Sequence, residues 1–405
     1  MHSMVSYRRP CMDWKKFQFN YRMNIRDSFQ HFVAIEAYKE AALNLVLPQE
    51  WREQLDKLNR VRAVYGTTAL EGNPLSEAEV SHQLELLEGD VDKDKKRITR
   101  EQLQIRNSGK AQAWVRMRFL PNNPPIRLSD ILQMHKMVTE ESDETHNEPG
   151  QMRTFSIQVG SPEMGGVHIG APANELPKMM DEFIDFINSR RLLAQHPVIR
   201  ALLAHFFLAT IHPFGDGNGR VSRLLEAGIL FQQGYNVHGF YGLSNYFYQN
   251  EKTYKTLLQG CRKTQPFDVS AFVDFGVQGF ASELKGINSF IKTKLNRVVY
   301  RTMLVRAFNK RVGERRRLLN QREYNLLDFL ISETEPIDPF SESPSRKIEY
   351  RELLKSKYVQ ATYRKFTTRT LVRELFRLGE LGFIAIERGE KDHVLELNFE
   401  AIGKY

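Results

Sequence analysis

The nine residues HPFGDGNGR, numbers 212 to 220, place one imidazole, one carboxylate, one guanidinium and three glycines on a single loop. Both flanks are helical by pattern. VIRALLAHFFLATI, 198 to 211, runs apolar into the loop, and RVSRLLEAGILFQQG, 220 to 234, resumes helical periodicity and stops at Gly234. Gly217 and Gly219 permit positive φ and close approach of an anion to the main chain, and Asn218 lies between them. The backbone N–H groups of Gly217, Asn218 and Gly219 therefore converge at the N-terminus of the second helix, where the macrodipole favours phosphate. Arg220 and Arg223, three apart, share a helix face and reach the same polyphosphate. Asp216 offers a hard oxygen to Mg²⁺, which takes one or two carboxylates plus substrate phosphates. His212 titrates near neutrality and suits proton removal from an attacking hydroxyl. Taken singly, His212 reads as a helix C-cap, Asp216 as a turn former and Arg220 as a solvated helix residue; the chemistry lies in their coincidence. Phe214 is expected to bury its ring and anchor the loop.

Working outward, 405 residues with 41% apolar content suffice for two or three domains. The 198–211 run is interrupted by Arg200 and His205 and is too short to span a bilayer, so it reads as a buried core helix and no membrane association is expected. The N-terminal MHSMVSYRRPCMDWKKF has no continuous apolar segment of a secretory signal, and the expected location is cytoplasmic. Two cysteines far apart, Cys11 and Cys261, give neither a disulfide framework nor zinc-ligand spacing. A net charge of +9 suits a polyanionic partner such as nucleic acid or ATP without choosing between them.

Upstream of the loop, residues 127 to 280 read as helical except RTFSIQVGSPEMGGVHIG, 153 to 170. Its alternation around Phe155, Ile157 and Val159, then Val167 and Ile169 across a Gly-rich turn, predicts a β-hairpin. Residues 30 to 87 recur at helical spacing with a stop at Glu71-Gly72-Asn73-Pro74, after which Ser76 and Glu79 form a capping box. DVDKDKKRITRE, 90 to 101, reads as a solvated loop or helix entry. Beyond Lys310 the composition becomes charged, with a Pro/Ser/acid-rich loop at 333 to 347. Helical segments near 320–331, 349–358 and 367–381 precede two alternating strands, the order of a winged helix. Leu371, Leu375 and Leu378 form its buried stripe. Lys365, Arg369, Arg373 and Arg377 form a basic one, interrupted by Glu374, that suits the major groove of DNA as well as a protein-docking or dimer module.

HPFGDGNGR resembles the signature H-x-F-x-(D/E)-G-N-x-R of the Fic (Fido-domain) family at every specified position, extended by Arg223. The resemblance spans about residues 30 to 285. It implies a mainly α fold, a Fic-type helical core with a β-hairpin flap, to which the C-terminal winged helix is appended. The expected domains are an N-terminal helical region at 1–125, the catalytic domain at 126–285, a helical linker at 286–318 and the winged helix at 319–405. The implied activity is transfer of AMP from ATP to a Ser, Thr or Tyr hydroxyl of a target protein or of the chain itself. His212 would be the base, Asp216 would hold Mg²⁺, Gly217, Asn218 and Gly219 would bind phosphates, and Arg220 and Arg223 would grip the β and γ groups. A family branch that transfers the γ-phosphoryl group has Lys at the place of Gly219, so glycine favours AMP. The backbone of Val167, His168, Ile169 and Gly170 matches the flap bordering the nucleotide and aligning a target strand. TTALEGN, with Thr67, Glu71 and Gly72, is similar to the family's inhibitory motif and implies that Glu71 pairs with Arg220 in the space of the γ-phosphate. Tyr254 matches a residue bordering adenine, whereas Cys261 stands where asparagine is expected, which leaves UTP and GTP open. Homodimers are common in similar proteins. A DNA-binding regulator whose Fic domain only senses nucleotide is the alternative reading.

Overall fold

The computed structural model describes residues 12–88, 98–142, 147–236, 239–240, 242–312, 317–335, 347–389 and 392–401. The chain divides into two compact units, residues 1–284 and 285–405.

In the first unit a short strand β1, Tyr21–Arg22, is followed by α1 (Phe29–Leu43), α2 (Gln49–Ala69), α3 (Glu77–Glu88), α4 (Arg100–Arg118) and α5 (Leu128–Thr139). The hairpin strands β2, Gln158–Ser161, and β3, Gly166–Ile169, come next. Then come α6 (Leu176–Ile187), α7 (Arg190–Leu193), α8 (Pro197–Ile211), α9 (Asn218–Gln232), α10 (Ser244–Gln249), α11 (Glu251–Cys261), strand β4 (Phe267–Asp268) and the start of α12 (Ser270–Asn309). The centre is the α8–α9 pair joined by the 212–217 loop. Every α8 residue from Val198 to Ile211 is buried, as its unbroken apolar run requires. Arg200 tolerates this burial because its Nε donates to the Ile187 carbonyl at 3.0 Å. Helices α4 and α5 pack on α9, α6 packs on α8, and α2 lies against α10.

Helix α2 stops where the sequence says it should. Gly72 takes φ +85°, and the N–H groups of Leu70 and Asn73 close back onto the Gly66 and Thr68 carbonyls. The Ser76 cap forms as expected, with Ser76 N donating to Glu79 Oε2 at 2.8 Å. Charged residues 90–97 lie outside the described residues, and α4 opens at a further capping box of Thr99 and Gln102 that the sequence reading did not single out. The hairpin is present but shorter than the alternation suggested. Its register pairs Val159 with His168 and Ser161 with Gly166, leaving Phe155 and Ile157 before the first strand. One element had no local signature: the N-terminal segment lays Phe17 and Phe19 among Phe186, Phe207 and Phe267, and β1 pairs in parallel with β4. Its aromatic burial becomes meaningful only once residues some 170 to 250 positions away are brought alongside.

Gly66 lets α2 and α10 meet. A Cβ there would lie 2.6 Å from the Asn245 backbone, so the helices would have to separate. Gly66→Ala is expected to cost about 1–3 kcal/mol by overpacking, read as a lowered thermal midpoint. An unchanged midpoint would contradict this packing.

The second unit continues α12 and adds α13 (Gln321–Glu333), β5 (Ile348–Glu349), α14 (Tyr350–Lys355), α15 (Lys357–Thr362), α16 (Thr368–Glu380), β6 (Ile384–Arg388) and β7 (His393–Leu397). The strands form one antiparallel sheet ordered β5-β7-β6. The middle helical segment of the sequence reading is split at Ser356, whose extended backbone ends α14 and whose hydroxyl caps α15. Leu371, Leu375 and Leu378 of α16 are buried, together with Tyr300, Leu304 and Leu319 from the stretch read as a linker and its end. Most of the 333–347 loop lies outside the described residues. The basic stripe of α16 needs correction. Arg377 turns to Glu323 at 2.5 Å and to the Leu318 carbonyl, so it does not extend the exposed set of Lys365, Arg369 and Arg373. Glu374 does not break that set either, because it is buried against Arg322 and Tyr363.

Candidate active site

The loop between α8 and α9 is held from several directions. His212 closes α8 as its C-cap in the left-handed region, φ +54°, a conformation uncommon for a non-glycine residue and concentrated at functional sites. It is thus both a cap and a candidate base. Its Nδ1–H donates to the Ala209 carbonyl at 3.3 Å, which leaves the Nε2 lone pair as the proton acceptor. Phe214 is fully buried and stacks on His135 with centroids 3.8 Å apart. His135 in turn donates from Nε2 to the Asp216 carbonyl at 3.2 Å and accepts the Gly150 N–H on Nδ1 at 3.0 Å. Asn218 clips the loop shut: its amide donates to the Phe214 carbonyl and its Oδ1 accepts the Phe214 N–H. Gly217, at φ +77°, caps α9.

The loop opens on a cavity of about 460 Å³ lined by Glu71, His212, Gly215, Asp216, Asn218, Gly219, Arg223 and Tyr254 from the motif regions. Lys255, Gln259 and Arg262 of the α11 segment and Ile157, Val159, Gly160, Ser161 and Met164 of the hairpin also line it. A larger hollow of about 780 Å³ around Arg52, Lys57 and Arg116 holds none of the motif residues.

Of the residues singled out in the sequence, Glu71, His212, Asp216, Asn218, Gly219, Arg223 and Tyr254 meet here. Arg220 does not line the cavity. It is buried beneath the loop, with Nη1 donating to the Val138 carbonyl at 2.9 Å and Nη2 lying 3.3 Å from Asp216 Oδ2. The hairpin meets the cavity through β2 and its turn, whereas the expected contacts were on β3. Val167 and Ile169 are exposed, and His168 is buried with its Nε2 donating to the Thr210 carbonyl at 2.7 Å. That bond, and the one from Ala171 N to the Ile211 carbonyl, fastens the hairpin to the last turn of α8. Gly170 lies against His212, where an added Cβ would come within 3.2 Å of its Cβ.

Glu71 pairs with Arg223, not with Arg220 as expected. Glu71 Oε1 stands 2.6 Å from Arg223 Nη2, and Arg223 also donates to the Thr67 hydroxyl at 2.8 Å and the Thr67 carbonyl at 3.1 Å. The reason is helical direction: one turn into α9, Arg223 faces the end of α2, whereas Arg220 in the first turn faces α5. Burial acts to raise the Glu71 carboxyl, but Arg223, with Arg220 and Lys255 behind it, holds it below its usual value. A Cβ at position 219 would fall 2.2 Å from Glu71 Oε1, so glycine there makes room for the carboxylate over the start of α9.

Two arginines that no local spacing announces flank the imidazole. Arg153 donates from Nε to the His212 carbonyl at 2.8 Å, and Arg262 donates from Nη2 to the Ala209 carbonyl at 2.8 Å. Burial first, then the Arg262 charge, pushes His212 down to about 4. The same two causes push His168 to about 2, and burial pushes His135 to about 4. Unfolded, all three take up protons near the usual 6.5, which the folded chain refuses. Stability is therefore full above pH 6.5 and is lost as pH falls toward 4, at about 1.4 kcal/mol per pH unit for each histidine. Melting midpoints from pH 7.5 to 5 are expected to fall steeply, and less steeply for His168→Gln; equal slopes would contradict this burial.

Residues 125–230 match the family model described as Fic/DOC family. The protein adenylyltransferase Fic of Aedes aegypti is 32% identical over 183 residues, 45% of this chain and 34% of the relative. The protein adenylyltransferase fic-1 of Caenorhabditis briggsae is 34% identical over 173 residues, 42% of this chain and 32% of the relative. The chain thus spans about a third of the length of these curated relatives. A crystal structure of a Fic family protein from Desulfovibrio desulfuricans G20 superposes with a TM-score of 0.52 at 17% identity, covering 94% of this chain and 98% of that one. Fic-1 from C. elegans superposes with a TM-score of 0.52 at 24% identity, covering 65% and 73%. At these identities the structures speak for the fold alone.

Proposed function

We propose, from the match of residues 125–230 to the Fic/DOC family model, that this chain is an autoinhibited protein adenylyltransferase. It moves AMP from ATP to a Ser, Thr or Tyr hydroxyl of a target protein or of itself. The observation that carries the reading is the meeting of an Nε2-basic imidazole, a glycine-edged helix N-terminus and a carboxylate-bound arginine in one 460 Å³ cavity. The N–H groups at the start of α9 and the Arg223 guanidinium receive the phosphates. His212 Nε2 takes the proton as the hydroxyl oxygen bonds to the α-phosphorus, and the bond from that phosphorus to the departing pyrophosphate breaks. Held below its usual pKa, His212 is unprotonated at neutral pH and ready as a base.

Asp216 lines the cavity and suits a Mg²⁺ ion, which would neutralise phosphate charge. Among the described residues no group of three or more His, Cys, Asp or Glu gathers to hold a metal, so such an ion would complete its shell with substrate oxygens and water. No described helix is long and apolar enough to cross a membrane. Similarity to protein adenylyltransferases supports the substrate class. For the second unit we propose a winged helix. Exposed Lys365, Arg369 and Arg373 favour a phosphate-bearing partner such as DNA as its second role.

A crystal of the Glu71→Gly chain soaked with a non-hydrolysable ATP analogue tests the reading. The expected result is phosphates on the Asn218 and Gly219 N–H groups with the α-phosphorus facing His212 Nε2. An empty cavity, or an imidazole turned from the phosphorus, would overturn it.

A further inference from the structure

Beneath Arg223 lies a buried polar chain that the transfer chemistry does not use. His205 of α8 and Glu226 of α9 are both essentially fully buried, with His205 Nδ1 2.6 Å from Glu226 Oε2. The other ring nitrogen, His205 Nε2, lies 2.9 Å from the Tyr254 hydroxyl. Glu226 Oε1 accepts the Leu243 N–H at 3.2 Å, which marks that side chain as an acceptor. With Glu226 as a carboxylate the proton order is fixed: Tyr254 O–H donates to His205 Nε2, and His205 Nδ1–H donates to Glu226. The lone pairs of the Tyr254 oxygen are left for the Arg223 guanidinium, its hydrogen-bond partner on the wall of the same cavity. Three polar side chains in an apolar interior are costly unless satisfied, and here each is satisfied by the next.

Tyr254 is poorly placed to serve as a platform for a nucleotide base. It is only 4% exposed, and its ring stacks on Phe247 at 4.6 Å with an interplanar angle of 16°. Arg223 is itself buried, and apart from Tyr254 its side-chain partners in the latched chain, Thr67 and Glu71, belong to α2 or the turn that ends it. Departure of Glu71 would leave a buried guanidinium without a counter-charge before phosphate arrives.

We propose that Tyr254 is a positioning residue acting through its hydroxyl. In this arrangement the Glu226–His205–Tyr254 chain acts as a standing second partner that keeps Arg223 aimed at the phosphates when Glu71 is away. The inference rests on the adenylyltransferase reading and assigns Tyr254 a role other than bordering the base.

The test compares Glu71→Gly with Glu71→Gly/Tyr254→Phe and Glu71→Gly/His205→Gln, measuring ATP and GTP binding by calorimetry and KM and kcat in transfer. Loss of one hydrogen bond to a charged group corresponds to about a 10-fold effect. Tyr254→Phe is expected to weaken ATP and GTP binding by about that factor alike, to raise KM more than kcat falls, and to lower the melting midpoint only by the cost of leaving His205 Nε2 unpaired, so binding is compared at a temperature where both chains are folded. His205→Gln, which leaves Tyr254 in place, is expected to move KM in the same direction. Unchanged binding in Tyr254→Phe, or a loss for ATP alone, overturns the proposal, the latter by placing Tyr254 on the base. If the Glu71→Gly chain binds no nucleotide at all, the adenylyltransferase reading fails first and this inference with it. If that chain binds and only Tyr254→Phe is silent, this inference fails alone.

Discussion

Glycine in place of Glu71 is expected to raise adenylyl transfer by about two orders of magnitude over the unaltered chain. The contact removed is a charge-assisted bond of 2.6 Å to Arg223, which lies beside Gly219 in the cavity. A hydrogen bond between charged groups is worth about 1.5–3 kcal/mol, a bias of roughly 10- to 150-fold toward the latched state. The side chain is one-third exposed, so the anion also faces incoming phosphates and repels them through partly solvated space. Glu71 sits in the turn after α2, held by backbone bonds such as Gly72 N to the Ala69 carbonyl, so the helix survives its loss. Initial rates with ATP give the answer. Equal transfer by the two chains would refute autoinhibition.

His212→Ala has the largest expected loss, about 10³-fold in kcat, in line with removal of a general base. Nucleotide binding is expected to persist, because the Asn218 clip, the Gly217 cap and Arg223 do not depend on the imidazole. Alanine in the left-handed backbone at 212 costs some stability as well, so rates are compared at a temperature where both chains are folded. A variant that binds ATP and still transfers at the parent rate would remove His212 from the chemistry.

What could be read from the sequence follows from distance along the chain. The 212–220 loop, the buried α8, the glycine-stopped α2 and the hairpin are local: each is written in periodicity, caps and turn residues within about twenty positions. The identity of Glu71's partner was not legible, since Arg220 and Arg223 lie within one helical turn of each other and only the packing of α2 and α5 on α9 separates them. Arg153 and Arg262 reach the His212 region from 59 residues before it and from 50 residues after it, contacts with no spacing of their own. His168 read as part of the flap bordering the nucleotide because its alternation with Val167 and Ile169 did not reveal which face was inward; the last turn of α8 decides that. Arg377 looked like one step of a regular basic stripe until Glu323 of α13 came beside it.

The buried histidines show the same limit. His135 and His205 fall within apolar helical runs, where imidazole usually signals a satisfied core group. The stacking of His135 on Phe214 with its bond to the Asp216 carbonyl, and the run from Glu226 through His205 to Tyr254, relate them to the site.

The central claim is that His212 directs a hydroxyl at the innermost phosphorus of a triphosphate once Glu71 is withdrawn. Its most direct test incubates the Glu71→Gly chain with ATP labelled at either the α or the γ phosphate, with the Glu71→Gly/His212→Ala chain beside it. Label retained on protein from the α position only, and absent when His212 is alanine, is the expected result. Label retained from the γ position only would contradict the account.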